Sequence, residues 1–352
     1  MKNLEKYRSI LSDEVQGLFL TSRYSRMYAA EFDIAEGYAI VSKNGARYFT
    51  DSRYIESAEN NIKGFEVVDF QSNLFDCLNQ AIRDFGISVL GFEDEYLTVA
   101  ELNAFQERLN AEFVPMQKAI NSFRASKEPW EIERLIKAQE ITDRAFTEVC
   151  GRVREGMTEK ELCAELIYCL YKNGGEGLSF DPIVVSGPNS SMPHGVPGDR
   201  KLQKGDFITM DFGVLYRGYC SDMTRTVALG YATDEMKKVY RTVLDAQLAG
   251  IAASRAGVTG KEIDGAARDV ITKAGYGKYF GHGYGHSLGM EIHEDPNCNV
   301  RNEQPLPLHA VCSAEPGIYL PGKFGVRIED VVIMEENGCI DITKSPKNLI
   351  IL

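Results

Sequence analysis

Along residues 17 to 92, short apolar runs (GLFLT, GYAIV, ARYFT, FEVVDF and ISVLGFE) alternate with helical stretches such as SRYIESAEN and LFDCLNQAIRDF. Apolar and β-branched runs bounded by turn formers read as strands, so the alternation predicts a small α/β domain. The pattern breaks in FVPMQKAINSFRASKEP (113–129), and a long helix follows. Over PWEIERLIKAQEITDRAFTEVC, Ile132, Leu135, Ile136, Ala145, Phe146 and Val149 fall at helical spacing. Ser126 is placed to cap this helix, Glu128 favours its positive end, and Pro129 fits its first turn. The expected domains are therefore 1–124 and 125–352, and a chain of 39.3 kDa exceeds the usual size of one hydrophobic core.

The second part repeats itself. REGMTEKELCAELIYCLYKNG (154–174) and RAGVTGKEIDGAARDVITKAG (255–275) align without gaps, with seven of 21 positions identical. Each contains a capping box, Thr158 with Glu161 and Thr259 with Glu262, so each opens a helix in the same way. His194 follows the first helix and His293 follows the second. Then DFITMDFGVLYRGYCSDMTRTVAL reads as two strands about a turn carrying Asp211 and Asp222, and AVCSAEPGIYLPGKFGVRIEDVVIM carries Glu315 and Glu329 in the corresponding places. Two half-domains thus each supply one histidine and two acids, while His286 has no counterpart.

Composition narrows the class of protein. With 44% hydrophobic and 26% charged residues the chain is an ordinary globular sequence, and a net charge of −12 disfavours nucleic acid as a partner. The first residues, MKNLEKYRSILSDEVQ, are too charged for a signal peptide, and no run approaches the ~18 apolar residues of a membrane span. A cytoplasmic setting without membrane association is expected, and the eight scattered cysteines are expected to be reduced.

Asp211 and Asp222 lie at equal distances from the Tyr216/Arg217 turn, so a simple hairpin would set them opposite each other. They could point to solvent or pair with Arg217 and Arg225. Buried together, they repel each other and each pays desolvation, so something positive must compensate. Four acids from two related hairpins, with an imidazole, favour a divalent-metal site. Such ligands suit Mn²⁺ foremost, with Zn²⁺, Co²⁺ or Fe²⁺ also admitted. Five side chains suit two ions better than one.

In order and spacing, MDFGVLYRGYCSDMTRT, GHGYGHSLGMEIHED, SAEPGIY and GVRIEDVV resemble the signature of the pita-bread metallopeptidases, in the branch of Xaa-Pro aminopeptidase and prolidase. YFTDSRY (48–54) is similar to that branch's N-terminal domain. The resemblance implies an α+β pita-bread domain with an internal pseudo-two-fold repeat, preceded by the smaller α/β domain, and a homodimer. It makes Asp211, Asp222, His286, Glu315 and Glu329 the ligands of two metal ions. It places His194 and His293 on the substrate carbonyl, with Glu315 as general base. His282 becomes a substrate-side histidine, Arg327 a supporting arginine, and Arg301 a partner for the substrate carboxylate. The implied reaction is hydrolysis of the bond between an N-terminal residue and a following proline, as an aminopeptidase or, alternatively, as a dipeptidase on Xaa-Pro dipeptides. LPLHAVCSAEPG departs from the family's usual LKPGMVFTVEPG, and His309 is expected to be exposed or packed rather than a ligand. A methionine aminopeptidase lacks such an N-terminal domain and a creatinase-like enzyme lacks the ligand set; a non-catalytic peptide-binding member of the fold, a kind that tends to lose ligands, is the further alternative.

Overall fold

The computed structural model describes residues 2–34 and 36–352. It divides into two compact units, Met1–Arg124 and Ala125–Leu352.

In the first unit, six strands form one mixed sheet in the order Glu66–Asp69, Ala46–Thr50, Tyr38–Ser42, Gly17–Leu20, Val89–Phe92, Glu112–Pro115. Phe19, Ile40, Phe49 and Leu90 point from these strands into a core completed by Leu78 and Ile82 of helix Leu74–Phe85 and by Phe105. The segment where the sequence pattern breaks is itself ordered, as the edge strand Glu112–Pro115 and helix Gln117–Arg124. Met116, Ala119, Ile120 and Phe123 do fall at helical spacing there, but over an eight-residue helix that spans only about two turns.

The second unit is built twice over. Helices Pro129–Cys150 and Glu159–Lys172 cover a sheet in which Ile183–Ser186 neighbours Phe207–Phe212, which neighbours Met223–Ala228. Helices Asp234–Ala253 and Gly260–Lys273 accompany a sheet in which Gly285–Ser287 neighbours Val311–Ala314, which neighbours Asp330–Glu335. Each half buries its own core, with Leu162, Leu166, Ile208 and Met210 in the first and Val239, Val243, Ile263 and Val332 in the second. Helices Glu159–Lys172 and Gly260–Lys273 start 101 residues apart and carry identical capping boxes, from Thr158 with Glu161 and from Thr259 with Glu262.

Two local expectations change. The long helix is capped by Glu128, whose partner in a capping box is Glu131; Ser126 instead donates its hydroxyl to the Leu308 carbonyl at 2.8 Å. The first hairpin turns one residue later than symmetry about Tyr216/Arg217 requires. Tyr216 pairs with Tyr219, leaving Arg217 and Gly218 as a two-residue turn with φ of 47° and 78°, the positive values that match the twist of flanking strands. Asp211 consequently pairs with Thr224, and Asp222 lies diagonal to Asp211. Gly213 is required here, because a Cβ at that position would sit 1.9 Å from the Ser221 carbonyl oxygen.

Thr158→Ala and Thr259→Ala each remove a cap, so each variant is expected to lose about 0.5–2 kcal/mol from the second unit. Urea unfolding of the single variants measures this, and the two losses should be similar.

Candidate metal centre and its cavity

All the residues singled out for chemistry except Arg301 line one cavity of about 470 Å³ in the second unit. Asp211 is the penultimate residue of strand Phe207–Phe212 and Asp222 immediately precedes strand Met223–Ala228. The second hairpin runs in a different register. Ala314 pairs with Asp330 and Gly317 with Arg327, so Glu315 and Glu329 stand opposite each other between two paired stretches. The Glu329 N–H donates to the Thr224 carbonyl at 3.0 Å, which joins the second half's acids to the first half's strand.

His286 lies on the short strand Gly285–Ser287, between Asp222 and Glu315: its Nε2 is 3.5 Å from Asp222 Oδ2 and 3.4 Å from Glu315 Oε1. Its Nδ1 is 3.1 Å from the Ser287 carbonyl, so the proton belongs on Nδ1 and the Nε2 lone pair is turned toward the acids. Gly285 lets this strand pass close to its neighbour, since a Cβ there would lie 2.0 Å from the Ser313 carbonyl oxygen. Asp222, His286 and Glu329 offer donor atoms within 4.8 Å of one another, a spacing that one divalent ion could bridge.

The electrostatics of this cluster are unfavourable without a cation. Burial holds the carboxyls of Asp222, Glu329 and Glu315 above their ordinary range, and Asp211 raises all three further; Asp222 and Glu329 also feel Glu315. Burial pushes His286 down, which favours the neutral imidazole. Asp211 Oδ1 and Asp222 Oδ1 are buried with no hydrogen-bond partner. Buried polar atoms are almost always satisfied, so two unpartnered carboxylate oxygens in one cluster fit a donor set for a cation.

The arginine next to the cluster is committed to it. Arg327 Nη2 pairs with Asp211 Oδ2 at 2.5 Å, Nε donates to Thr224 Oγ1 at 3.0 Å, and Nη1 donates to Tyr319 Oη at 2.8 Å and to the Pro193 carbonyl at 3.2 Å. Thr224 in turn donates to Glu329 Oε2 at 2.7 Å, and Tyr319 Oη lies 2.9 Å from His282 Nε2. Arg225, a candidate partner for the aspartates, instead forms a buried pair with Asp330 at 2.7 Å. Thr224 and Tyr319 were not singled out from the sequence, because a lone hydroxyl in a strand carries no positional signal.

His194 and His293 both line the cavity and are exposed there, and the His293 ring centroid lies 4.4 Å from that of His286. Glu294, next to His293, accepts the Met290 and Glu291 N–H groups on Oε1 and the Lys127 ammonium on Oε2, at 3.0, 3.2 and 2.7 Å. That carboxylate closes the loop leading to His293, and its lysine partner comes from just before the long helix. Arg301 is exposed and donates its backbone N–H to Asn299 Oδ1; it does not line the cavity. Asn297 and Asn299 do. His309 lies outside the lining as well, its backbone N–H held by the Met334 carbonyl, and Cys312 is fully buried against Ser287.

Comparison with known proteins agrees with this geometry. The model of metallopeptidase family M24 matches residues 133–336, and that of the creatinase/prolidase N-terminal domain matches residues 4–126. The Xaa-Pro dipeptidase of Pyrococcus furiosus is 37% identical over 315 residues, 89% of each chain. A structure of an Xaa-Pro dipeptidase from Bacillus anthracis superposes with a TM-score of 0.97 at 42% identity, covering 100% of this chain and 99% of that one. One of an X-Pro aminopeptidase from Thermotoga maritima does so with a TM-score of 0.93 at 37% identity, covering 99% of both. Among the described residues, no helix is long and apolar enough to cross a membrane.

Two outcomes are expected. In chelator-treated protein, acids with raised folded-state pKa values bind more protons than the unfolded chain does, so stability is present below the ordinary carboxyl range near ~4 and declines as pH rises. Melting temperatures taken from about pH 5 to about pH 8 should therefore fall, and Asp222→Asn should flatten the slope. Lys127→Met takes the ammonium away from the buried Glu294 carboxylate, and should cost about 3–5 kcal/mol in unfolding experiments, with part of the loss recovered by adding Glu294→Gln.

Proposed function

The chain belongs to metallopeptidase family M24 and is therefore a hydrolase with a pita-bread catalytic unit, and from that premise we propose that it cleaves the bond between an N-terminal residue and a following proline, with the dipeptide Xaa-Pro as its smallest substrate. The observation that carries the metal-dependent part is the pair of buried, unpartnered oxygens on Asp211 and Asp222, in a cluster where Asp222, His286 and Glu329 already meet within 4.8 Å. The proline part is supported by the named activities of the relatives. The Pyrococcus and Bacillus relatives are Xaa-Pro dipeptidases and the Thermotoga one is an X-Pro aminopeptidase, so dipeptide hydrolysis has the broader support.

In this reading Asp211, Asp222, His286, Glu315 and Glu329 hold two divalent ions, Mn²⁺ foremost. When bound, the ions supply a water of lowered pKa and neutralise charge that develops on the carbonyl oxygen. Glu315 takes the proton of the attacking water and returns it to the prolyl nitrogen. His194 and His293 donate hydrogen bonds to the carbonyl oxygen as it becomes an oxyanion. His282 forms part of the pocket wall through its bond to Tyr319, and Arg327 holds Asp211 in place. A homodimer in the cytoplasm belongs to the same reading.

Ala-Pro should be hydrolysed with Mn²⁺ supplied and Ala-Ala should not; chelation should abolish turnover and Mn²⁺ restore it. His293→Ala should lower kcat by roughly 10²–10³ while leaving bound metal in place. Wild-type turnover in that variant would remove His293 from the mechanism, and indifference to chelation would remove the metals.

A further inference from the structure

We propose that Asn297 and Asn299 form a neutral amide clamp for the prolyl end of the substrate, so that the site takes peptides continuing beyond proline, and proline amides, as readily as free Xaa-Pro acids. This rests on the proline-peptidase reading and concerns which substrates that site accepts.

Arg327 is the one lysine or arginine among the described residues lining the cavity, and four hydrogen bonds turn it inward onto Asp211, Thr224, Tyr319 and Pro193. A guanidinium has five N–H groups, so little remains for a ligand. Arg301 is exposed and outside the lining. Among the described residues lining the cavity, a substrate carboxylate would thus meet no guanidinium or ammonium with donors to spare, and burying such a group without one is costly.

The asparagines offer a different chemistry. Asn299 Oδ1 accepts the Arg301 N–H at 2.9 Å, which fixes the side chain's orientation and leaves its NH₂ to donate. The Asn297 NH₂ rests on Asp295 Oδ1 at 3.3 Å, which leaves its oxygen to accept. One donor and one acceptor, two residues apart on the same wall, match the C=O and N–H of a peptide bond or primary amide. The donor alone can also serve a carboxylate, without the preference for charge that a cation imposes.

The wall carrying them is firmly built. Asn302 Nδ2 donates to the Asn297 carbonyl at 2.7 Å, and the Lys261 N–H donates to the Asn302 carbonyl at 2.9 Å. Two glycines let the wall close up: a Cβ at Gly260 would lie 2.2 Å from the Asn297 carbonyl oxygen, and one at Gly283 would lie 2.7 Å from Asn299 Cβ.

The test compares kcat/KM for Ala-Pro and Ala-Pro-amide with Mn²⁺ supplied. The wild-type values should agree within about tenfold. Asn297→Arg should shift the ratio toward the free acid by about tenfold or more, and the nearly isosteric Asn299→Asp should shift it toward the amide. Melting temperatures show whether each variant is folded. A wild-type preference for the free acid above about a hundredfold, or a ratio that moves in neither folded variant, overturns the clamp. Failure to cleave either peptide overturns the proposed reaction, and the clamp with it.

Discussion

Burying Asp211, Asp222, Glu315 and Glu329 around one cavity opposes folding, because each carboxylate leaves water and each raises the cost of ionising its neighbours. The surrounding structure offsets part of that cost with Arg327 on Asp211, Thr224 on Glu329 and Ser313 on Glu315. It leaves one oxygen of each aspartate without a partner. A fold that maintains such a cluster has its strain placed where cations bind, and the two capped helices, two sheets and two cores hold the acids together against their repulsion.

The duplication explains how that arrangement is reached. Each half contributes two acids from a pair of adjacent strands, with the strands in the same order in both halves. The halves differ in register: Asp222 is diagonal to Asp211, whereas Glu315 and Glu329 stand opposite each other. The cause is local. The first pair closes through a two-residue turn with positive φ at Arg217, and the second opens into a further two-stranded ribbon, Gly317–Leu320 with Phe324–Arg327. His286, which has no counterpart, sits on a strand that only glycine at 285 allows so close to Ser313.

Hydrogen-bonding partners around the cavity divide into those that hold acids and those that hold the histidines. Arg327 and Thr224 belong to the first group, Tyr319 connects Arg327 to His282, and Lys127 with Glu294 ties down the loop before His293. Lys127 is the least expected of these, since it stands outside both halves of the repeat, at the start of the second unit.

The sequence by itself determined the strands and helices whose apolar residues keep a period, the repeat with its two threonine caps, and the order of the acids and histidines along the chain. These follow from local chemistry: a threonine caps the turn beside it, and a strand's alternation shows in its own residues. The tertiary structure alone decided the register that sets Asp211 opposite Thr224, the replacement of Ser126 by Glu128 as a cap, the exposure of Arg301, and the presence of Asn297 and Asn299 on the cavity wall. It also decided the partnerships of Lys127 with Glu294 and of Arg327 with Tyr319. Register depends on where a turn closes, and partners distant in sequence meet only when packing brings them together, so neither leaves a pattern in the residues on one side of the contact.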